Sequence, residues 1–126
     1  MTVEKWAAFE KETYLNLETF RKNGEGVKTP VWFMRSGDVL YVRTIDGSAK
    51  IKRIRRNARV RIAPCTSNGT LKGDWLEAAA EIAQDAQVIA ESINLAKKKY
   101  GFPNWIFTTV SRMRGGTYAT IVISLK

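Results

Sequence analysis

The sequence predicts a mainly β fold with helices, a mostly antiparallel barrel of about six short strands with helices in its connections. Two observations predict it. Short runs of alternating apolar and polar residues are separated by turn signals, among them Asn23-Gly24, Ser36-Gly37-Asp38 and Gly115-Gly116. Residues 48–57 and 85–100 carry the longer helical patterns, and both fall between strand patterns.

The elements follow in order. Residues 3–11 read as a short amphipathic helix that Thr2 can cap and that covers one end of a sheet. Tyr14, Leu15, Leu17 and Phe20 mark the first strand, and the run from Lys22 to Gly26 is its turn. A second strand runs through residues 27–34. Val27, Thr29, Val31 and Phe33 point one way; Lys28, Pro30, Trp32 and Met34 point the other. Pro30 has no N–H to give a ladder, so this strand belongs at an edge or carries a bulge. Residues 39–44 make the third strand, and residues 58–64 the fourth, with Val60 and Ile62 inward. Residues 75–82 make the fifth and residues 118–125 the last. In the helix at 85–100, Ile89, Ile93, Ala96 and Tyr100 recur on one side, Lys97, Lys98 and Lys99 make a solvated end, and Gly101 stops it. Residues 103–112, with Trp105, Ile106 and Phe107, are ambiguous, with a short helix as one reading.

Length and composition bound the function. The 126 residues make one domain, 1–126, and a 44% hydrophobic content is enough for a core. Net charge is +9, and much of it lies between Lys50 and Arg61. That points to an anionic partner: a phosphorylated cofactor, a nucleic acid or a membrane surface. A solvated basic surface is the alternative. Cys65 is the only cysteine, which rules out an intrachain disulfide and fits a cytoplasmic location. No signal peptide is expected, and no apolar run approaches the ~18 residues of a membrane span. Histidine is absent, which removes the usual zinc sets and every Ser-His or Cys-His nucleophile pair. No metal site is expected.

The strongest local signal is residues 44–56, Thr-Ile-Asp-Gly-Ser-Ala-Lys-Ile-Lys-Arg-Ile-Arg-Arg. A strand ends, a tight turn follows, and a basic helix starts at Ser48, its expected cap. A phosphate there would take hydrogen bonds from free backbone N–H groups and the Ser48 hydroxyl. Lys50 and Lys52 would add charge, but positions i and i+2 lie about 200° apart, so Lys50 is the better direct ligand. An exposed basic helix face is the alternative. In Thr29-Pro30-Val31-Trp32-Phe33, the proline leaves backbone groups free beside a wide aromatic, which could read the edge of a flat heteroaromatic ring. Core packing is the alternative for Trp32 and Phe33.

Together with Arg61-Ile62-Ala63-Pro64-Cys65, these blocks resemble the flavin/deazaflavin-binding split-barrel superfamily, in its pyridoxamine-phosphate-oxidase-like branch. The resemblance covers residues 15–82. It implies an FMN-binding split β-barrel and a homodimer with two cofactor sites at its interface. The implied cofactor is FMN or the deazaflavin coenzyme F-420, used for hydride transfer to a small organic substrate. By that resemblance Ser48 and Lys50 contact phosphate, with Lys52 a nearby basic position. Thr29, Pro30, Val31 and Trp32 pass the ring, and Thr44 lies beside the ribityl-phosphate region. Ala63 and Pro64 belong to the neighbouring strand. Trp105 and Arg112 are candidates for completing the partner's pocket. No catalytic residue stands out, although Tyr41 or Tyr118 could supply a proton. The chain lacks the C-terminal Arg/His motif of pyridoxamine phosphate oxidase, so that activity is not expected. Two alternatives compete: a non-catalytic flavin, deazaflavin or haem-type carrier, and a nucleic-acid-binding barrel that stacks bases on Trp32, Tyr41 and Trp75.

Overall fold

A computed structural model describes residues 6–45, 47–100 and 118–125. The expectations at Thr2, Gly101, residues 103–112 and Gly115-Gly116, with Trp105 and Arg112, lie outside them. After a single 3-10 turn at Ala7–Phe9 come strands β1 (Tyr14–Phe20), β2 (Gly26–Trp32), β3 (Met34–Ser36) and β4 (Val39–Ile45). Helix α1 (Ala49–Arg56), strands β5 (Arg59–Cys65) and β6 (Leu76–Ile82), helix α2 (Ala86–Tyr100) and strand β7 (Tyr118–Leu125) follow. The strands form one antiparallel sheet in the order β2-β1-β5-β6-β7-β4-β3. The sheet curls until β2, an edge strand, comes against β4, giving the β+α split barrel.

Alternation sorts the two faces. Leu15, Leu17, Val60, Ile62, Ile121, Ile123, Leu40 and Val42 fill the inner face, where Ile51 and Ile54 of α1 join them. Residues opposite one another in register share a face, so this one core runs across β1, β5, β7 and β4. On the outer face of β3 and β4, Met34 and Tyr41 pack beneath Ala96 of α2.

Three expectations are corrected. The described part of the N-terminal segment forms a 3-10 turn at Ala7–Phe9, anchored by buried Trp6 and Phe9, in place of the expected α-helix. The second strand is two, because the chain breaks at Phe33; this raises the count to seven strands. The buried stripe of α2 is also rotated. Ser92 and Ala96 are buried, whereas Ile89 and Ile93 stay part-exposed. The Ser92 hydroxyl lies 2.8 Å from that of buried Thr120, so a hydroxyl pair takes the place that apolar periodicity assigns to isoleucine.

The turn at Asn23-Gly24 closes as expected. Gly24 has φ +92°, which favours glycine, and Asn23 Oδ1 accepts the Glu25 N–H at 3.0 Å. The outer face then carries a charge ladder across four strands: Lys28 opposite Glu18, Glu18 opposite Arg61, Arg61 opposite Glu77. Glu18, 5% exposed, accepts from Arg61 Nε at 2.6 Å, and Trp75 lies against both Lys28 and Arg61. A Cβ at Gly26 would fall 2.0 Å from Glu18 Oε2. Gly26→Ala must therefore push the carboxylate off its partner, and a loss of about 1–3 kcal/mol is expected in urea unfolding. An unchanged midpoint would show that Glu18 can move freely.

Candidate functional site

A cavity of about 340 Å³ opens where edge strand β2 faces the end of β4. Pro30, Val31 and Trp32 line it from β2, Arg43 and Thr44 from β4, and Tyr100 from α2, with Tyr118 of β7 nearby on the wall.

The β2 side is held by the end of α2. The Trp32 and Tyr100 rings stack at 4.2 Å and 4°. The Phe33 N–H donates to the Tyr100 hydroxyl at 2.9 Å. That hydroxyl shares its proton between the carbonyls of Thr13 and Phe33, each 2.8 Å away. Lys99 Nζ donates to the same Phe33 carbonyl at 2.9 Å. Burial pushes the Tyr100 hydroxyl well above the ordinary tyrosine range, so it remains a neutral donor and acceptor. At Phe33 both backbone groups are taken, and one face of Trp32 is covered.

The β4 side is cationic. Arg43 donates to the Thr120 and Ser92 hydroxyls at 3.1 and 3.4 Å and lies over the Tyr118 ring. Among the described residues it meets no carboxylate. Burial lowers its pKa, and the Tyr118 interaction only partly offsets this. A part-buried guanidinium beside an apolar wall suits an anionic or carbonyl group of a ligand.

From Thr44 and Ile45 the chain turns into α1, where the Ser48 N–H donates to the Ile45 carbonyl at 3.1 Å. Ser48 has the N-cap backbone, φ −64° and ψ 161°, but its side chain makes no capping bond. Its Oγ is buried and has no hydrogen-bond partner. This corrects its role as a cap and leaves a hydroxyl without a protein partner at a helix start. Lys50 is part-buried, and desolvation, then the charge of Arg53, lowers its pKa. Lys52 is exposed. Arg53, whose Nε donates to Thr19 Oγ1 at 2.6 Å, has its pKa lowered by burial and then by Arg21 and Arg56. Lys50, Arg53 and Arg56 thus form a cationic stripe at i, i+3, i+6 spacing along α1.

The structure brings Pro30, Val31, Trp32 and Thr44 to one cavity and places Ser48 and Lys50 one turn beyond it. Thr29 sits farther along β2, opposite Leu17. Ala63 and Pro64 are buried in β5, on the far side of β1 from the cavity, and do not line it. Of the two candidate proton donors, Tyr118 lines the cavity; Tyr41 is 4% exposed and donates instead to Glu91 at 2.8 Å. Tyr41, Trp32 under Tyr100, and Trp75 under Lys28 and Arg61 do not make one stacking surface. Sequence reasoning missed Arg43 and Tyr100. An arginine inside a strand pattern was the one available signal; the partner of Tyr100 depends on a strand break that alternation conceals.

The chain matches no family model, and no curated protein matches it in sequence. Its fold matches solved structures throughout. HutZ, the haem storage protein of Vibrio cholerae, superposes with a TM-score of 0.74 at 14% identity, over 98% of this chain and 89% of that one. An FAD-binding protein of Mesorhizobium loti gives 0.65 at 16% identity, over 100% and 88%. An F420 reductase gives 0.61 at 17% identity, over 96% and 92%. The fold is that of the pyridoxamine-phosphate-oxidase-like split barrels.

Tyr100→Phe keeps the stack but leaves the Phe33 N–H without its acceptor. A loss of about 1–3 kcal/mol is expected, with faster hydrogen exchange at Phe33 than at other β2 amides. Unaltered exchange at Phe33 would mean that the hydroxyl does not hold this junction.

Proposed function

We propose that this protein binds a phosphorylated flavin-type cofactor, FMN or coenzyme F-420, and uses it as an oxidoreductase on a small organic substrate. The observation that carries this reading is the Ser48 hydroxyl, buried and unpartnered at the start of a basic helix, next to a cavity with an aromatic wall. Ser48 and Lys50 would hold the phosphate with the first-turn N–H groups of α1. Pro30, Val31 and Trp32 would bound the ring, and Thr44 the segment between. Bound there, such a cofactor supplies hydride transfer. The chain's own part is to bind, orient and exclude water, and this requires no histidine.

Between the two cofactors, the stripe of Lys50, Arg53 and Arg56, with Arg21 close to Arg53, favours F-420. Its tail carries several glutamates after the phosphodiester, whereas FMN needs one phosphate site. A homodimer would complete the site, and a cytoplasmic location fits the single buried cysteine. Among the described residues no helix is long and apolar enough to cross a membrane. A second reading, a non-catalytic haem-type carrier, is favoured by the likeness to HutZ.

Lys50→Ala should weaken cofactor binding by about 1.5–3 kcal/mol in a fluorescence-quenching titration. Unchanged affinity would remove the phosphate assignment. Replacing Arg53 and Arg56 with glutamine should weaken F-420 more than FMN; equal losses would remove the tail assignment. Steady-state oxidation of reduced cofactor by an added acceptor separates enzyme from carrier, and a haem titration read at the Soret band tests the second reading. A monomer in sedimentation at micromolar concentration would exclude an interface site.

A further inference from the structure

We propose that a second cavity, enclosed by the 3-10 turn, the β2–β3 break and the end of α2, is a binding site for a small monocarboxylic acid with a flat apolar body. The cavity measures about 230 Å³ and shares no lining residue with the first. That is below the ~300–1,000 Å³ of pockets for drug-sized ligands, so the occupant is small.

Its walls are apolar. Phe9 and Phe33 meet edge to face at 5.9 Å, and Leu40 is fully buried beside them. Its polar groups are mostly donors. Trp6 is fully buried, and its indole N–H has no partner. Lys99 Nζ sits 3.4 Å from the Phe33 ring centroid and gives one N–H to the Phe33 carbonyl. An ammonium has three donors, so two remain for another acceptor. The one carboxylate among the described lining residues is paired with a cation. Glu10 Oε1 takes Arg35 Nη1 at 2.9 Å, and Arg35 Nε donates to the Gly37 carbonyl at 3.1 Å. Among the described lining residues Glu10 is answered by Arg35, which leaves the Trp6 N–H and the Lys99 charge without an acceptor, and the apolar walls suit a flat hydrocarbon body rather than a fully polar anion. This site does not rest on the cofactor reading.

Lys99 also makes the site sensitive to pH. Desolvation pushes its ammonium down to about 8, which Glu12 only partly opposes. Among the described residues the charged groups around it are Glu10 paired with Arg35, Glu12 paired with Lys72, and Lys97 and Lys98 of α2, which are exposed as the Lys99 residue itself is. The Tyr100 hydroxyl beside it stays neutral, because its pKa is raised. Loss of the Lys99 proton would weaken a carboxylate, so binding should fall as pH rises through about 8.

The test is calorimetric titration of the full chain with benzoate, benzamide and inorganic phosphate. Benzoate is expected to bind in the submillimolar range, about tenfold more weakly at pH 9 than at pH 7, with benzamide and phosphate at least tenfold weaker at pH 7. Lys99→Met should cost at least tenfold and Trp6→Phe several-fold, while Lys99→Arg should retain binding. The pH arm on the unaltered chain decides the matter should Lys99→Met fail to fold. Absence of benzoate binding at 10 mM (roughly the weakest affinity that still counts as a site), benzamide binding as tightly as benzoate, or affinity indifferent to both pH and Trp6→Phe would overturn the proposal.

Discussion

The structure turns on the backbone of Phe33. A sheet that curls into a split barrel cannot carry one straight strand from Gly26 to Ser36, and Pro30 already confines β2 to an edge. The strand breaks at Phe33, whose side chain is 2% exposed, and its N–H and C=O leave the ladder in a poorly solvated place. Unpaired groups there would be costly. The last two residues of α2 meet that need. Tyr100 accepts from the N–H, and Lys99 and Tyr100 both donate to the carbonyl. This junction fixes where α2 ends, stacks Tyr100 on Trp32 and makes the wall between the two cavities.

Charge is distributed with comparable consequence. Carboxylates are used in pairs, Glu18 with Arg61 and Glu77 with Arg59 on the sheet, and Glu12 with Lys72 and Glu10 with Arg35 from the segment before β1. Most are exposed and contribute little each, but Glu18 is nearly buried and depends on its partner. The surplus of cations is left largely on α1, which has five basic residues in eight and no acid in its first turn. Burial first, and then the neighbouring like charges, lower the pKa values of Lys50 and Arg53. An anion at the helix start relieves both.

How much of this was legible depended on whether a single residue's own preference decided the structure. β1 and β7 start and end where alternation places them, and the Asn23-Gly24 turn follows from the left-handed conformation that glycine accepts. The edge position of β2 follows from Pro30. The break at Phe33 was not legible, because alternation runs through it without a fault. Nor was the true face of α2, since Ser92 is buried for a hydroxyl on β7 that only the folded sheet supplies. The candidate site divides in the same way. Ser48, Lys50 and Thr44 sit at a strand–helix junction written in local sequence. Arg43 and Tyr100 gain their place from β7 and from Phe33, distant in the chain.

The cavity lining separates by chemistry. β2 and α2 contribute Pro30, Trp32 and Tyr100, a flat apolar wall whose Tyr100 hydroxyl is already engaged. β4 contributes Thr44 and Arg43, and the turn after it leads to Ser48, where polar capacity is unspent. A purely apolar ligand would leave Arg43 desolvated without an anion, and a purely polar one would waste the aromatic wall. A ligand flat at one end and anionic at the other satisfies both, and the same argument sets aside small uncharged ring compounds as the resident group. With no histidine in the chain, what the protein can add to such a ligand is position, an apolar wall and the fixed positive charge of Arg43.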